Sequence, residues 1–441
     1  MRWTAQHTIT LAAPEDHSGD GDYIVAVEYT DRSKNAAVYT GQSGTHRYTS
    51  KQLTIDTTSP VITVQGIKHE SANNDEVIGF TITADDTNLD ASAFEPKLTA
   101  LYRNDDGGFK TELIDFGKET ILEVGKTHSL TVENLDRDAI YTLTATIKDM
   151  SGNMSSAIII EDSEEKEIEN IVFSVNREGS TFLPDENTLN LINAYFVQEV
   201  ANNIVVDEIN VDPLNEYTVE MNKSKLTEGT GFKVNTTADS GTWSRYRYTV
   251  ESSLFDDENQ YGLVISSTDK TGTKAYSDLK QVEIGFVVDQ TAPTVEKSGV
   301  DNNARYQTES QLVTLIPKDE GGKLHSIRVH LVDGSENEIS EVINLERDSL
   351  FDVIDNNNGE VTFEILQGFN QNVRIVCIDE AGNEYEEIFK GITVSTNMFI
   401  LFFANKPLFI GSIIGVFVIA GGLTAFLIIR RRRIAVKKEK V

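Results

Sequence analysis

The stretch from Tyr141 to Asn153, "YTLTATIKDMSGN", decides the fold. Tyr141, Leu143, Ala145 and Ile147 alternate with Thr142, Thr144, Thr146 and Lys148, the two-residue period of a strand with one buried and one wet face. The alternation stops at Asp149-Met150-Ser151-Gly152-Asn153. An aspartate bonds the backbone ahead of it and a glycine accepts positive φ, so the break reads as a hairpin turn between two final strands.

The pattern recurs as "YIVAVEYTDRSKN" from Tyr23, "YGLVISSTDKTGT" from Tyr261 and "QNVRIVCIDEAGN" from Gln371. Its aspartates, Asp31, Asp149, Asp269 and Asp379, lie 118, 120 and 110 residues apart, the spacing of whole domains rather than of solenoid repeats. Tyr23, Tyr141 and Tyr261 open the penultimate strand, where a tyrosine makes the corner hydrogen bond of a sandwich; Gln371 replaces it in the fourth copy. Gly152 and Gly382 carry the turn in the two fullest copies.

A second signal follows the last strand: "IDTTSPVITV" from Ile55 and "VVDQTAPTVEK" from Val287. Pro60 and Pro293 exclude helix and redirect the chain, so both stretches read as interdomain joints. The joint after the second copy is expected in "IIIEDSEEKEIENIVFSV", which is acidic and proline-free. These joints predict a domain remnant at 1–56, whole domains at 57–162, 163–290 and 291–396, a juxtamembrane segment and span at 397–429, and a basic tail at 430–441. Seven candidate strands fit into 57–162, from "PVITVQG" to "SSAIIIED", the content of an immunoglobulin-like sandwich.

With its "IKDMSGN" and "DEAGN" hairpins, its "DTTSP" and "DQTAP" joints and an apolar C-terminal segment, the chain resembles the tandem bacterial Ig-like domains of large cell-surface proteins of the Gram-positive type. The resemblance covers residues 1–396 in pieces. It implies an all-β chain of tandem Ig-like β-sandwich domains followed by one transmembrane helix. It further implies a stalk, adhesin or scaffold that displays distal domains. No LPxTG-like signal precedes the apolar segment, which points to membrane retention rather than covalent wall attachment.

Residues 407–429, from Pro407 to Ile429, contain no charge and suffice to cross a bilayer. Arg430, Arg431, Arg432 and Arg433 follow at once, and such a cluster stays cytoplasmic, which places the large N-terminal part outside. The N-terminus carries no signal-peptide pattern, so the sequence reads as a fragment of a longer exported chain. Apart from residues 398–441, 31 Lys and Arg stand against 69 Asp and Glu, a surface that repels nucleic acid. The single cysteine, Cys377, excludes an intrachain disulfide and reads as a buried strand residue.

Acids crowd the strand ends and joints at Asp85, Asp86, Asp149, Asp289 and Asp379. They are expected to be turn and surface groups, with calcium that stiffens the joints as the rival reading. His325 and His330 fit no zinc pattern, and no hydrolase, P-loop or dinucleotide fingerprint is present. In "TWSRYRYTV" from Thr242, the tyrosines are expected in the core and the arginines at the surface; an exposed face for a glycan or protein ligand is the alternative. The expected function is therefore non-enzymatic and extracellular, with no cofactor beyond that calcium and the membrane as partner. A spacer in a surface enzyme whose catalytic domain lies upstream is the alternative.

Overall fold

The computed structural model describes residues 5–38, 47–123, 126–161, 167–237, 241–280, 282–321 and 323–438. The chain is built of β-sheets with a few short helices and one long apolar C-terminal helix. It divides into two compact units, one of Met1–Asp185, Val205–Thr249 and Val264–Glu283, the other of Glu186–Ile204, Val250–Leu263 and Ile284–Val441.

In the first unit, one sheet orders Lys118–Glu123, Thr127–Val132, Phe80–Asp85, Val61–Gln65 and Ile158–Ile160. A second orders Ala72–Asn73, Ile171–Val175, Ala139–Lys148, Glu95–Arg103 and Phe109–Ile114. Ile62, Val64 and Ile82 from the first meet Leu98, Tyr141, Leu143 and Phe173 from the second in one core. This is a sandwich, and Leu143, Ala145 and Ile147 point into it while Thr144, Thr146 and Lys148 face water.

The closing strand differs from expectation. Tyr141 pairs with Phe173 and Leu143 with Ile171, so Ile171–Val175 completes the sheet. Within "SSAIIIED", Ile158–Ile160 instead crosses to the other sheet and runs parallel to Val61–Gln65, burying Ile158 and Ile160. The boundary expected at 162/163 therefore falls inside the sandwich. The acidic joint residues 162–166 lie outside the described residues.

In the second unit, Thr294–Ser298, Ser310–Lys318 and Val361–Leu366 form one sheet, and Arg305–Tyr306, Glu384–Val394, Gly368–Asp379, Leu324–Val332 and Glu338–Glu346 form the other. Val313, Leu315 and Phe363 pack with Ile327, Ile375 and Cys377 between them. Arg347–Asn356 is a helix that strand-period reading does not reveal; a capping box of Glu346 and Ser349 starts it and Leu350 anchors it. Also in this unit, Phe286 packs edge-on against Phe255 at a centroid distance of 5.3 Å.

The corner tyrosines share one geometry. Tyr23, Tyr141 and Tyr261 donate their hydroxyls to the carbonyls of Gly19, Arg137 and Asp257, four residues upstream, at 2.8, 2.9 and 2.9 Å. Gln371 donates its amide to the Leu366 carbonyl, five residues upstream, at 3.0 Å. The cross-strand partners of these four residues are Leu53, Phe173, Phe286 and Ile392. Counting three residues on from each partner gives Asp56, Asn176, Asp289 and Ser395, so register identifies the joint position in every copy. Tyr141→Phe is expected to cost about 1 kcal/mol, the net value of one such hydrogen bond, read as a lower urea midpoint at unchanged slope.

At the C-terminus, Asn397 caps the helix Met398–Ala404, Asn405 breaks it, and Lys406–Lys438 follows with Pro407 in its first turn. Lys406–Arg432 is the one helix among the described residues long and apolar enough to cross a membrane, with a mean hydropathy of 2.5. It runs past Ile429 and through Arg430, Arg431, Arg432 and Arg433 without interruption.

Candidate cation-binding junctions

The hairpin turn aims its aspartate inward. Asp149 Oδ1 accepts the backbone N–H groups of Gly152 and Asn153 at 2.5 and 2.8 Å, and its Oδ2 accepts the Asn153 amide at 2.7 Å. Asp379 repeats this with Asn383, accepting its N–H at 2.8 Å and its amide at 2.9 Å. Gly152 and Gly382 sit at φ +100° and +89°, where a side chain would strain the turn. The remnant copy places Lys34 there at +65°. Asp333 and Asn337 build the same turn in another hairpin, which a search keyed to the tyrosine repeat misses.

The turn asparagine also reaches the joint. Asn153 donates its amide to the Asp56 carbonyl at 3.0 Å, and Asn383 donates to the Asp289 carbonyl at 2.9 Å. Each joint aspartate is thereby drawn beside the turn aspartate and a third acid that directly follows an early strand. Asp56, Asp86 and Asp149 each present an oxygen within 4.8 Å of the others, as do Asp289, Asp319 and Asp379. Pro60 and Pro293 are buried and immediately precede the strands that leave the two joints.

Four of the five acids singled out in the sequence thus enter clusters. Asp85 does not: it faces outward on its strand and accepts a hydrogen bond from Thr127. Asp56 and Asp319 are the members that sequence reasoning left out. The signal for them is the shared spacing, since Asp86 follows Asp56 and Asp319 follows Asp289 by 30 residues.

The register places a third junction at Asn176, Asp212 and Asp269, which are 0%, 5% and 1% exposed. Here an asparagine replaces the joint aspartate. Its amide nitrogen lies 3.1 Å from Asp212 Oδ2, 3.0 Å from Asp269 Oδ2 and 2.8 Å from Asn210 Oδ1, which accept its N–H groups. The amide occupies the centre of the acid cluster. Burial pushes the Asp86, Asp212 and Asp289 carboxyls above their ordinary range, and neighbouring acids add to the effect.

Beside this junction, Glu208 is fully buried and accepts hydrogen bonds from Tyr248 at 2.6 Å and from Ser267. Burial raises its carboxyl as well. In "TWSRYRYTV", Tyr246 and Tyr248 enter the core while Arg245 and Arg247 lie outside and both bind Asp207. Trp243 donates its indole N–H to the Leu101 carbonyl at 3.0 Å and packs on Phe109. Cys377 is inaccessible, its thiol pushed up to about 12 by burial and by the charges of Asp319 and Asp379. His325 lies near Glu346 and Glu380, and His330 near Glu338, so the two belong to different surface clusters.

No family model matches the chain, and no curated protein matches its sequence. Among solved structures, the chain is similar to one described as giving insight into host cell surface retention of a 1.5-MDa bacterial ice-binding adhesin. The identity is 13%, 76% of this chain and 97% of that one are covered, and the TM-score is 0.25. It is also similar to a structure of Dpr2 Ig1-Ig2 in complex with DIP-Theta Ig1-Ig3, at 10% identity, 76% and 100% coverage and a TM-score of 0.26. Scores this low carry no weight, and the sheet pairing itself establishes the β-sandwich reading.

Proposed function

We propose that the chain is a membrane-anchored, non-enzymatic stalk of the bacterial cell surface that holds adhesive or display domains away from the bilayer. The observation that carries this reading is the way the sandwich of residues 61–175 is fastened, within the first unit, to the turn that follows Asp269. Lys270 donates its ammonium to the Glu70 carbonyl at 2.7 Å, and Asn74 its amide to Thr273 Oγ1 at 3.3 Å. Trp243 adds an indole hydrogen bond to the Leu101 carbonyl and an apolar contact with Phe109. A joint fastened by side chains resists bending, which a stalk needs and a flexible linker lacks.

The apolar helix with its arginine cluster supports an anchor whose basic end is cytoplasmic. The excess of acid over base supports an exterior that stays hydrated and apart from anionic neighbours. Treatment of intact cells with an external protease is expected to release fragments from residues 1–396 and leave the helix with the membrane. Full protection of that region would overturn the topology and with it the stalk.

A further inference from the structure

We propose that Asp289, Asp319 and Asp379 form a binding site for a divalent cation of the calcium class, and that it is the only one of the three homologous junctions left open for one. The comparison among junctions carries the argument. In the first, Asn88 donates its amide to Asp56 Oδ2 at 2.7 Å, so a neutral donor already meets the joint carboxylate. In the second, the Asn176 amide fills the cluster from within. In the third, two residues beyond the early-strand acid, the position of Asn88 is taken by Gly321.

That glycine removes the donor. Asp289 is 1% exposed, and among the described residues its Oδ2 has no hydrogen-bond partner. Among the described residues, its Oδ1 accepts the Thr291 N–H, at 3.1 Å. A Cβ at Gly321 would come within 2.7 Å of that carboxylate, so the chain passes close over the site and a side chain there would push the carboxylate aside. A buried carboxylate oxygen without a donor is costly, and beside two further carboxylates it calls for positive charge. Three carboxylates with oxygens within 4.8 Å of one another suit a hard, oxygen-seeking ion.

The test is equilibrium dialysis of the full chain in detergent against radioactive calcium, in about 0.15 M NaCl to screen diffuse binding by the acidic surface. One saturable site per chain is expected, with a dissociation constant of about 0.1 to 1 mM, as in extracellular modules. Asp289→Asn and Asp319→Asn should each abolish it. Asp86→Asn, in the junction closed by Asn88, should leave it unchanged. Asp289→Asn should also melt in chelator no lower than the parent chain, because its amide can donate to Asp319 and Asp379 as Asn176 donates to its own acids. No saturable site, a second site, a site that survives Asp289→Asn, or loss of binding in Asp86→Asn would each overturn the proposal.

Discussion

Asn176→Asp is expected to destabilise the first unit by about 3 to 5 kcal/mol, the penalty of an uncompensated buried charge. The substitution preserves shape but removes an amide that donates to Asn210, Asp212 and Asp269 and adds a carboxylate between two others. With all three acids at most 5% exposed, water cannot screen the repulsion. Urea unfolding followed by Trp243 fluorescence measures the loss, since that indole is packed within the same unit. Asn176→Ala, which removes the donor without adding charge, should cost about 1 to 3 kcal/mol. Equal losses in the two variants would show that the amide does not neutralise the cluster.

Acidification is expected to stabilise the folded chain before it unfolds it. Glu208, Asp212, Asp86 and Asp289 are held above their ordinary values by burial, so the folded state binds protons more readily than the unfolded one. Their contribution is fully present below the ordinary carboxyl values of 4.5 and 3.8 and is lost as pH rises through the raised folded values. Asp207 acts in the opposite sense: against its burial, the hydrogen bonds from Arg247 and Arg245 keep it below 3.8, and its contribution disappears as pH falls through that lowered value. In chelator, the melting temperature should therefore rise as pH falls from about 8 toward these ordinary carboxyl values, and then fall below about pH 4 as Asp207 loses its charge. Glu208→Gln should reduce the rise. A melting temperature that falls steadily from pH 8 to pH 5 would contradict the assignment of these acids as strained.

The strands and the repeat were legible because alternation and turn chemistry are local. Tyr141 to Asn153 shows both within 13 residues, and the two proline joints repeat the signal at Asp56 and Asp289. The joint at Asn176 was not legible, because "NREGS" changes both marks at once, with asparagine for aspartate and Ser180 for proline. An apolar, strand-like "AIII" ahead of it offered a nearer stopping point, and only the pairing of Tyr141 with Phe173 shows where the sheet ends. Asp149, Asp289 and Asp379 are buried rather than the surface groups expected, because convergence depends on which strand ends meet. Sequence gives a spacing of 30 residues between Asp289 and Asp319 but not their approach to Asp379.

The offset between the tyrosine's partner and the joint also marks where the chain can be cut and rejoined. A splice just before Asn176 or Asp289 falls beyond the last paired residue of the outgoing strand and before the first strand of the next module. All three members of a junction lie downstream of such a splice and within one module. Modules can thus be duplicated, deleted or exchanged as cassettes, each bringing its own lock: one closed by an amide wherever it is inserted, another, with Asp289 at its head, responsive to the ions around it.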